Sequence, residues 1–207
     1  MRDHLDRYYT KPWMTRALLR YVDVGGKVLE PCAGRGWIAS VLREHGCEVT
    51  TGDLDPDVEV DHQWDFPEAY ALGRVPGGFD WIITNPPFNC ASQVVRAALE
   101  SAPRVAMLLK HRWSEPCLER AGIHALHPES MIITLPRDGF PGPTNTGRGT
   151  DNGSVAWFVW DGRKSETRHI RVLHAEADEL RGQLDLTKLA DGHPREAEGI
   201  EAQGVLL

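Results

Sequence analysis

The chain has 207 residues, of which 41% are hydrophobic, and it carries a formal net charge of −7. This length and composition allow one domain with a sizeable core, and no run approaches the roughly 18 uninterrupted apolar residues of a membrane span, so we expect a cytoplasmic protein with no membrane partner. The negative charge argues against an extended electrostatic wrap around nucleic acid, although a local basic rim is compatible with it.

Helices and strands are predicted to alternate along the chain. Thr10 followed by Lys11 and Pro12 is typical of an N-cap with proline in the first turn, and it predicts a helix that ends before Gly25. Further helices are predicted at residues 37–44, 67–72, 92–100 and 115–121. Strands are predicted at residues 27–30, 47–54, 58–62, 79–84, 104–109, 131–135 and 155–160.

This alternation indicates an α/β protein with a doubly wound, mostly parallel sheet flanked by helices. Ligands of such sheets bind beyond the carboxyl ends of the strands. From residue 163 onward the pattern weakens, and residues 191–207 are rich in Gly, Glu and Ala. We therefore predict one domain over residues 1–162 and a partly flexible C-terminal extension over residues 163–207.

The residues Asn85, Pro86, Pro87 and Phe88 directly follow the predicted strand at residues 79–84. The prolines have no backbone N–H, and the asparagine side chain carries an amide oxygen, so carbonyl oxygens are left to accept from a ligand amine. The aromatic ring beside them can stack on a flat group. The segment therefore predicts a binding site for a planar NH₂ group.

A glycine loop follows the first predicted strand. Glu30 and Pro31 end that strand, and Gly34 and Gly36 allow a tight turn and a close approach of the backbone to a ligand. The N–H groups that open the next helix can donate to a carboxylate or a phosphate. Dinucleotide binders, nucleotide binders and methyltransferases all have such loops, and a plain tight turn is the alternative. The third glycine of the dinucleotide fingerprint is missing, which disfavours NAD.

Acidic side chains follow in the next part of the chain. Asp53 ends the second predicted strand, where a carboxylate can accept both ribose hydroxyls of a nucleoside cofactor. Asp55, which precedes a proline, is more typical of a solvated turn. Asp65 and Phe66 together can supply an acceptor for an adenine amine and a face for its ring.

In their order, these motifs resemble those of class I S-adenosylmethionine-dependent methyltransferases of the N6-adenine type. The resemblance covers about residues 8 to 160. The cofactor motifs precede Asn-Pro-Pro-Phe, and this order is similar to the gamma arrangement of DNA amino-methyltransferases. The size of the chain is similar to that of compact phage-encoded adenine methyltransferases. The resemblance implies a Rossmann-like, seven-stranded sheet with an antiparallel last strand, and a catalytic domain in a bacterial cell or a phage-infected host.

The resemblance also implies a role for each matching residue. The residues implied to bind the cofactor S-adenosylmethionine are Thr10, Glu30, Pro31, Gly34, Gly36, Asp53, Asp65 and Phe66. The residues implied to be catalytic are Asn85, Pro86, Pro87 and Phe88. The amide oxygen of Asn85 and the carbonyl of Pro86 would accept both N–H groups of the target amine and stabilise positive charge as it forms.

The implied substrate is adenine in DNA, and several residues outside the motifs are predicted to contact it. The long segment at residues 136–153 is glycine-rich, and we predict that it orders over the substrate, with Phe140 on the second face of the base and Arg137 and Arg148 on phosphates. The alternative is a hairpin connection with no substrate contact. Lys110 and Arg112 follow the fifth strand and are predicted to guide the nucleic-acid backbone.

Three alternatives stay open at this point. Adenine in RNA, or the glutamine amide of a protein, would satisfy the same receptor for an NH₂ group. A non-catalytic nucleic-acid-binding module with the same fold is the third. Enzymes of the gamma group commonly carry a separate target-recognition domain, and the 45 or so residues after the last predicted strand do not indicate one. We therefore expect pairing with a second copy or a partner subunit.

The four cysteines do not form a metal-binding pattern. Cys32, Cys47, Cys90 and Cys117 are widely spaced, with no CxxC pair and no His/Cys cluster at the spacing of metal ligands. Methyl transfer to an amine needs no covalent enzyme intermediate. We therefore predict reduced thiols and no metal site.

Overall fold

The computed structural model describes residues 8–115, 117–142, 145–146, 153–162 and 166–182. Its strands are β1 (Lys27–Glu30), β2 (Glu48–Asp53), β3 (His62–Gln63), β4 (Trp81–Thr84), β5 (Arg104–Lys110), β6 (Met131–Thr134), β7 (Pro141–Gly142), β8 (Asn145–Thr146), β9 (Val155–Asp161) and β10 (Arg168–Arg171). Its helices are α1 (Pro12–Tyr21), α2 (Trp37–Glu44), α3 (Phe66–Ala71), α4 (Ala91–Ser101), α5 (Ala121–Leu126) and α6 (His174–Gly182), with a 3₁₀ turn at His111–Ser114. Within these described ranges, no helix has both the length and the apolar character to cross a membrane.

Eight strands form one sheet in the order β10-β6-β9-β5-β4-β1-β2-β3, and β7 pairs separately with β8. The strands β3, β2, β1, β4 and β5 run parallel to one another. β9 runs antiparallel to both of its neighbours, β5 and β6, and β10 is parallel to β6. The prediction of a mostly parallel sheet is confirmed, and so is the antiparallel direction of the strand predicted as the last, which is β9. The predicted number of seven strands is wrong, because β10 adds an eighth.

The sequence pattern does not indicate β10 because this strand has no buried face. Arg168, His169 and Arg171 are exposed, and Ile170 is only half-buried. Its extended backbone is paired with β6, where Arg168 lies opposite Met131. An edge strand of this kind is specified by its partner rather than by its own apolar residues.

The described part of the predicted C-terminal extension belongs to the same fold. It supplies β10 to the sheet, and it supplies α6, which contacts α1 through an ion pair from Arg20 Nη1 to Glu179 Oε2 at 3.1 Å. The proposed division of the chain at residue 162 stays a prediction.

The two faces of the central strands pack into different core clusters. On β4, Trp81 and Ile83 pack with residues of α1 and α2, whereas Ile82 packs with residues of α4. All three side chains are fully buried. Burying one side chain of this size stabilises a fold by about 1.5–3 kcal/mol, so β4 is held firmly on both sides. The residues that follow β4 therefore leave the sheet at a well-defined place.

Two helix starts differ from the predictions. α1 begins at Pro12, its N-cap is Lys11, and no side chain caps it. Proline at the first helical position has a preset φ and no N–H to satisfy, and Thr10 is therefore not needed as a cap. The helix predicted at residues 115–121 is wrong, since α5 begins only at Ala121. Leu118 is 99% exposed and so gives that earlier segment no apolar face.

Candidate active site

A cleft opens beyond the carboxyl ends of β1, β2 and β4. It contains about 900 Å³ of empty space, counting the part that is open to solvent, which suits a ligand of cofactor size. The residues predicted for the site that line this cleft are Thr10, Glu30, Pro31, Gly34, Asp53, Asp65, Phe66, Asn85, Pro86 and Pro87. Residues from the predicted cofactor set and from the predicted catalytic set thus meet in one place.

The glycine loop between β1 and α2 is tied to β2 by backbone hydrogen bonds. Gly34 N donates to Asp53 Oδ2 at 2.7 Å, and Ala33 N donates to Gly52 O at 2.9 Å. Gly34 and Gly36 have φ values of 50° and 72°, in the left-handed region that favours glycine. Gly36 is the N-cap of α2, so the loop turns directly into that helix.

The acidic residues around the cleft are oriented by backbone N–H groups. Asp53 Oδ1 accepts from Asp55 N at 2.8 Å, and each oxygen of the Asp53 carboxylate keeps a further acceptor position. Asp55 is buried, which corrects its interpretation as a solvated turn residue. Asp65 is exposed and caps α3, because its Oδ1 accepts from Glu68 N at 3.1 Å. Phe66 is buried directly behind it.

Four residues that line the cleft have buried polar atoms without a hydrogen-bond partner among the described residues. These atoms are Thr10 Oγ1, Glu30 Oε1, Trp64 Nε1 and Asn85 Oδ1. Leaving a buried polar atom unpaired costs about 1–3 kcal/mol, so such a group in a cleft is a candidate for contact with a ligand. The hydroxyl, the carboxyl oxygen and the amide oxygen suit a ligand with amino or hydroxyl donors, and the indole N–H of Trp64 suits an acceptor on the same ligand.

Glu30 is the most deeply buried acid of the cleft. Its Oε2 accepts from Ala39 N at 2.8 Å. Burial raises the pKa of Glu30 well above its usual value, and the neighbouring charge of Asp53 raises it further, whereas the Ala39 hydrogen bond lowers it. A cationic amino group in the cleft would reverse this shift, because it would favour the charged carboxylate.

The thiol of Cys32 is not suited to nucleophilic attack. Cys32 lines the cleft, and burial raises the pKa of its thiol well above the usual value, with a further increase from the Asp53 charge. Thiolates rather than thiols are the reactive form. All four cysteines are free. In the described ranges, no three His, Cys, Asp or Glu side chains could hold a metal ion together, and the absence of a metal site stays a prediction.

Asn85 leaves the end of β4 with its side-chain amide held in one orientation. Its Nδ2 donates to the Tyr8 carbonyl at 2.9 Å. A carbonyl only accepts, so the atom facing it is the NH₂ group, and Oδ1 is the atom left without a partner. Further on, Pro87 O accepts from Cys90 N at 3.2 Å just before α4. The amide oxygen and the diproline turn are thus fixed between two rigid elements.

Aromatic rings and one lysine surround the outer side of this turn. The ring of Phe88 is stacked on Tyr8, with a centroid distance of 5.6 Å and an interplanar angle of 30°. Phe140 is buried and meets Tyr8 edge-on at 6.2 Å. Lys110 Nζ lies 4.6 Å from the Phe88 centroid. Phe140 therefore contacts Tyr8 from within the core.

The other predicted substrate residues lie farther out. Arg112 and Arg137 are exposed, and neither lines the cleft. Arg148 lies outside the described residues, as does much of the segment at residues 136–153 that we predict to cover the substrate. The roles of these arginines and of Phe140 stay predictions.

Four aromatic residues that line the cleft were not predicted to have a role in it, namely Tyr8, Tyr9, Trp37 and Trp64. We call residues 8–11 the amino-terminal strap, because they cross beside the glycine loop. A Cβ atom at Gly34 would lie 3.4 Å from the Tyr9 ring, and one at Gly52 would lie only 2.2 Å from Trp64 Nε1. The signal available in the sequence was the position of these rings next to Thr10, Gly36 and Asp65.

Comparison with solved structures identifies the fold. An inferred RNA methyltransferase from Pyrococcus horikoshii is 15% identical with a TM-score of 0.54, and the match covers 76% of this chain and 88% of that chain. A protein from Lactococcus lactis that is provisionally named a hemolysin is 14% identical with a TM-score of 0.52, covering 84% and 98%. The 23S rRNA methyltransferase ErmE is 15% identical with a TM-score of 0.50, covering 77% and 70%. No protein-family model and no curated protein matches the chain.

Identities this low establish the fold and not the activity. The chain has the class I methyltransferase fold. The cleft lies at the carboxyl ends of the strands, where α/β sheets bind ligands. Which molecule receives the methyl group has to be argued from the residues of the site.

Proposed function

We propose that this protein is an S-adenosylmethionine-dependent methyltransferase that modifies the exocyclic amine, N6, of adenine in DNA. The observation that carries the proposal is the orientation of Asn85. Its NH₂ group is engaged by the Tyr8 carbonyl, so its buried Oδ1 is an acceptor that still lacks a donor. An aryl amine offers both an N–H donor for the amide oxygen and a flat ring for the aromatic side chain of Phe88.

The residues of the cleft fit the cofactor in chemical type. Glu30 Oε1 and Thr10 Oγ1 are suited to its amino-acid end, the Asp53 carboxylate to its ribose hydroxyls and the Asp65 carboxylate to its adenine amine. When bound, S-adenosylmethionine supplies an electrophilic methyl group. The glycine loop lets the backbone approach it closely, and the raised pKa of Glu30 would return toward its usual value beside an ammonium group.

The chain contributes orientation and charge stabilisation to the reaction. The adenine amine is a weak nucleophile because its lone pair is delocalised into the ring. Asn85 Oδ1 and the Pro86 carbonyl accept its two N–H groups, which localises the lone pair on nitrogen and stabilises the positive charge that forms there. Holding the two reactants in line supplies much of the remaining acceleration. The surplus proton on the methylated nitrogen leaves to water, so no side chain has to act as a strong base.

A second candidate substrate is adenine in RNA. Two of the solved structures that share the fold of this chain are named as RNA methyltransferases, and this favours RNA as a substrate. DNA remains the first candidate because the order of the cofactor and Asn-Pro-Pro-Phe motifs resembles that of DNA amino-methyltransferases.

We also propose that a second copy or a partner subunit helps to read the target. Active enzyme that sediments on DNA as a single copy of this chain would contradict this proposal.

Incubation with radiolabelled S-adenosylmethionine and separate pools of DNA, RNA and protein tests the proposal. Label in DNA that is released as N6-methyladenine on digestion supports it, and label in RNA supports the second candidate. Label in protein glutamine, or none in any pool, contradicts both. Asn85→Ala should lower kcat about 10²- to 10³-fold, which is the usual effect of removing one group that stabilises transition-state charge. Asn89→Ala, at an exposed asparagine outside the cleft, is the matched control.

A further inference from the structure

We propose that Tyr8 is the second aromatic wall of the slot that holds the target base, opposite Phe88. This inference rests on the proposed function, since the base is that of the nucleic-acid substrate. It assigns to the amino-terminal strap a substrate-binding role in addition to its place beside the cofactor cleft. It also assigns the wall to Tyr8 rather than to Phe140.

The geometry of the ring pair carries the inference. Tyr8 and Phe88 face each other at 5.6 Å with planes only 30° apart, so their facing surfaces are nearly parallel. Both residues are only half-buried, whereas Phe140 is 4% exposed and turns its ring edge-on to Tyr8. Phe140 therefore packs against Tyr8 from the core, and the accessible stacked pair is Tyr8 and Phe88.

The present spacing is that of a closed slot. A flat base between two rings needs its full thickness between the ring planes. The centroids of Tyr8 and Phe88 are 5.6 Å apart and the rings are stacked directly on each other, so the pair has to separate before a base can enter. The backbone is anchored on both sides, because Tyr8 O accepts from Asn85 and Tyr9 N donates to Pro141 O at 2.9 Å. Rotation of the Tyr8 side chain is thus the movement that opens the slot.

The same residue links the slot to the amine receptor. The Tyr8 carbonyl orients the Asn85 amide, and the Tyr8 ring covers Phe88, which follows Asn85 by three residues. A base between the two rings would place its edge beside the acceptor oxygen. Lys110 Nζ lies 4.6, 5.9 and 6.0 Å from the centroids of Phe88, Tyr8 and Phe140, so the slot also carries a cation that attracts a polyanion.

Steady-state methylation by Tyr8→Leu and Tyr8→Phe tests the inference. Both variants keep the Tyr8 carbonyl that holds Asn85, and only leucine lacks a ring. Tyr8→Leu should lower kcat/KM for the nucleic acid by about 5- to 150-fold, the range expected for losing one base–aromatic stack, mainly through KM. Tyr8→Phe should restore it. In Tyr8→Leu the cofactor affinity from calorimetry should fall much less than kcat/KM, and Tyr8→Phe should keep the thermal midpoint of the wild type.

Tyr70→Leu is the matched control, since this tyrosine lies on α3 and outside the cleft. Wild-type kcat/KM in Tyr8→Leu would overturn the inference. A rise in kcat/KM would also overturn it, because Tyr8 would then only block Phe88. An equal loss of cofactor affinity would assign Tyr8 to the cofactor site instead. Failure of the wild type to methylate any nucleic acid is a different result, which refutes the proposed function itself.

Discussion

Asp138 Oδ1 accepts a hydrogen bond of 2.8 Å from Lys11 Nζ and thereby joins the segment after β6 to the amino-terminal strap. The other oxygen of the same carboxylate accepts from Trp13 Nε1 at 3.1 Å and from Arg181 Nη2 at 3.2 Å. One carboxylate thus connects the strap, α1 and α6. The strap carries Thr10 and Tyr8, so the position of two site residues depends on this connection.

Asp138→Ala should lower the free energy of unfolding by about 1–3 kcal/mol, because three partly buried donors lose their acceptor. It should also weaken cofactor binding, since Thr10 is no longer held in place. Urea denaturation and calorimetry measure the two effects. Glu48→Ala removes an exposed partner 4.0 Å from Lys27 and should change stability by no more than about 0.5 kcal/mol. Equal effects of the two substitutions would contradict the prediction.

Gly52→Ala should displace Trp64 from the cleft. A Cβ atom at this position would lie 2.2 Å from Trp64 Nε1, which no side chain tolerates without movement. We expect a loss of about 1–3 kcal/mol in stability and a weaker affinity for the cofactor. Gly77→Ala is the control, since nothing lies within 4 Å of the added atom and its φ is not in the left-handed region. Wild-type cofactor affinity in Gly52→Ala would show that Trp64 does not shape the site.

Glu30→Gln should change how the stability of the free protein depends on pH. Burial raises the pKa of Glu30, so the folded protein retains this proton above the usual pKa of the carboxyl, where the unfolded chain has already lost it. Unfolding then releases a proton, and the stability contributed by the protonated group falls as pH rises through that window. The glutamine variant has no such proton. Its stability relative to the wild type should increase in urea titrations as the pH rises above the usual pKa of a glutamate carboxyl.

Parallel stability curves for the two proteins would contradict this assignment. In the presence of cofactor the wild type should be more stable than Glu30→Gln, because a bound ammonium group stabilises the carboxylate and not the amide. We expect the cofactor affinity of Glu30→Gln to be lower by about 10- to 100-fold, as for the loss of one hydrogen bond to a charged group.

Asn85→Asp should lower kcat/KM by about 10- to 100-fold near neutral pH. A carboxylate cannot donate to the Tyr8 carbonyl, so two acceptors face each other where the wild type has a hydrogen bond of 2.9 Å. Lowering the pH should restore part of the activity relative to the wild type, because a protonated carboxyl can donate again. The ratio of the two pH profiles is the measurement. A ratio that does not change with pH would show that the Tyr8 hydrogen bond is not needed.

The parts of the site that could be predicted lie in short segments whose residue types indicate the local structure by themselves. Gly34 and Gly36 adopt the left-handed conformation that their position in a tight turn requires. Asn85 and the prolines follow a strand that is buried along its whole length, so the apolar run before them marked its end. Asp53 ends β2 as expected. Each of these features depends on neighbours within a few positions.

The features that were missed depend on distant partners. Thr10 is typical of a helix cap, yet it is buried in the cleft because Pro12 starts the helix without a capping side chain. The burial of Phe140 against Tyr8 joins residues that are far apart in the chain, and its predicted contact with the substrate stays a prediction. The strand β10 has no buried face and exists because β6 offers it a free edge.

The amino-acid sequence by itself determined the alternation of buried strands and helices, and with it the edge of the sheet at which the glycine loop and Asn85 emerge. It did so because burial on both faces demands continuous apolar runs, which are visible locally. Only the tertiary structure decided that the Tyr8 carbonyl holds the Asn85 amide and that the Tyr8 ring covers Phe88. The first of these contacts joins residues 77 positions apart, and the free energy of both arises only once the sheet has brought the two segments together.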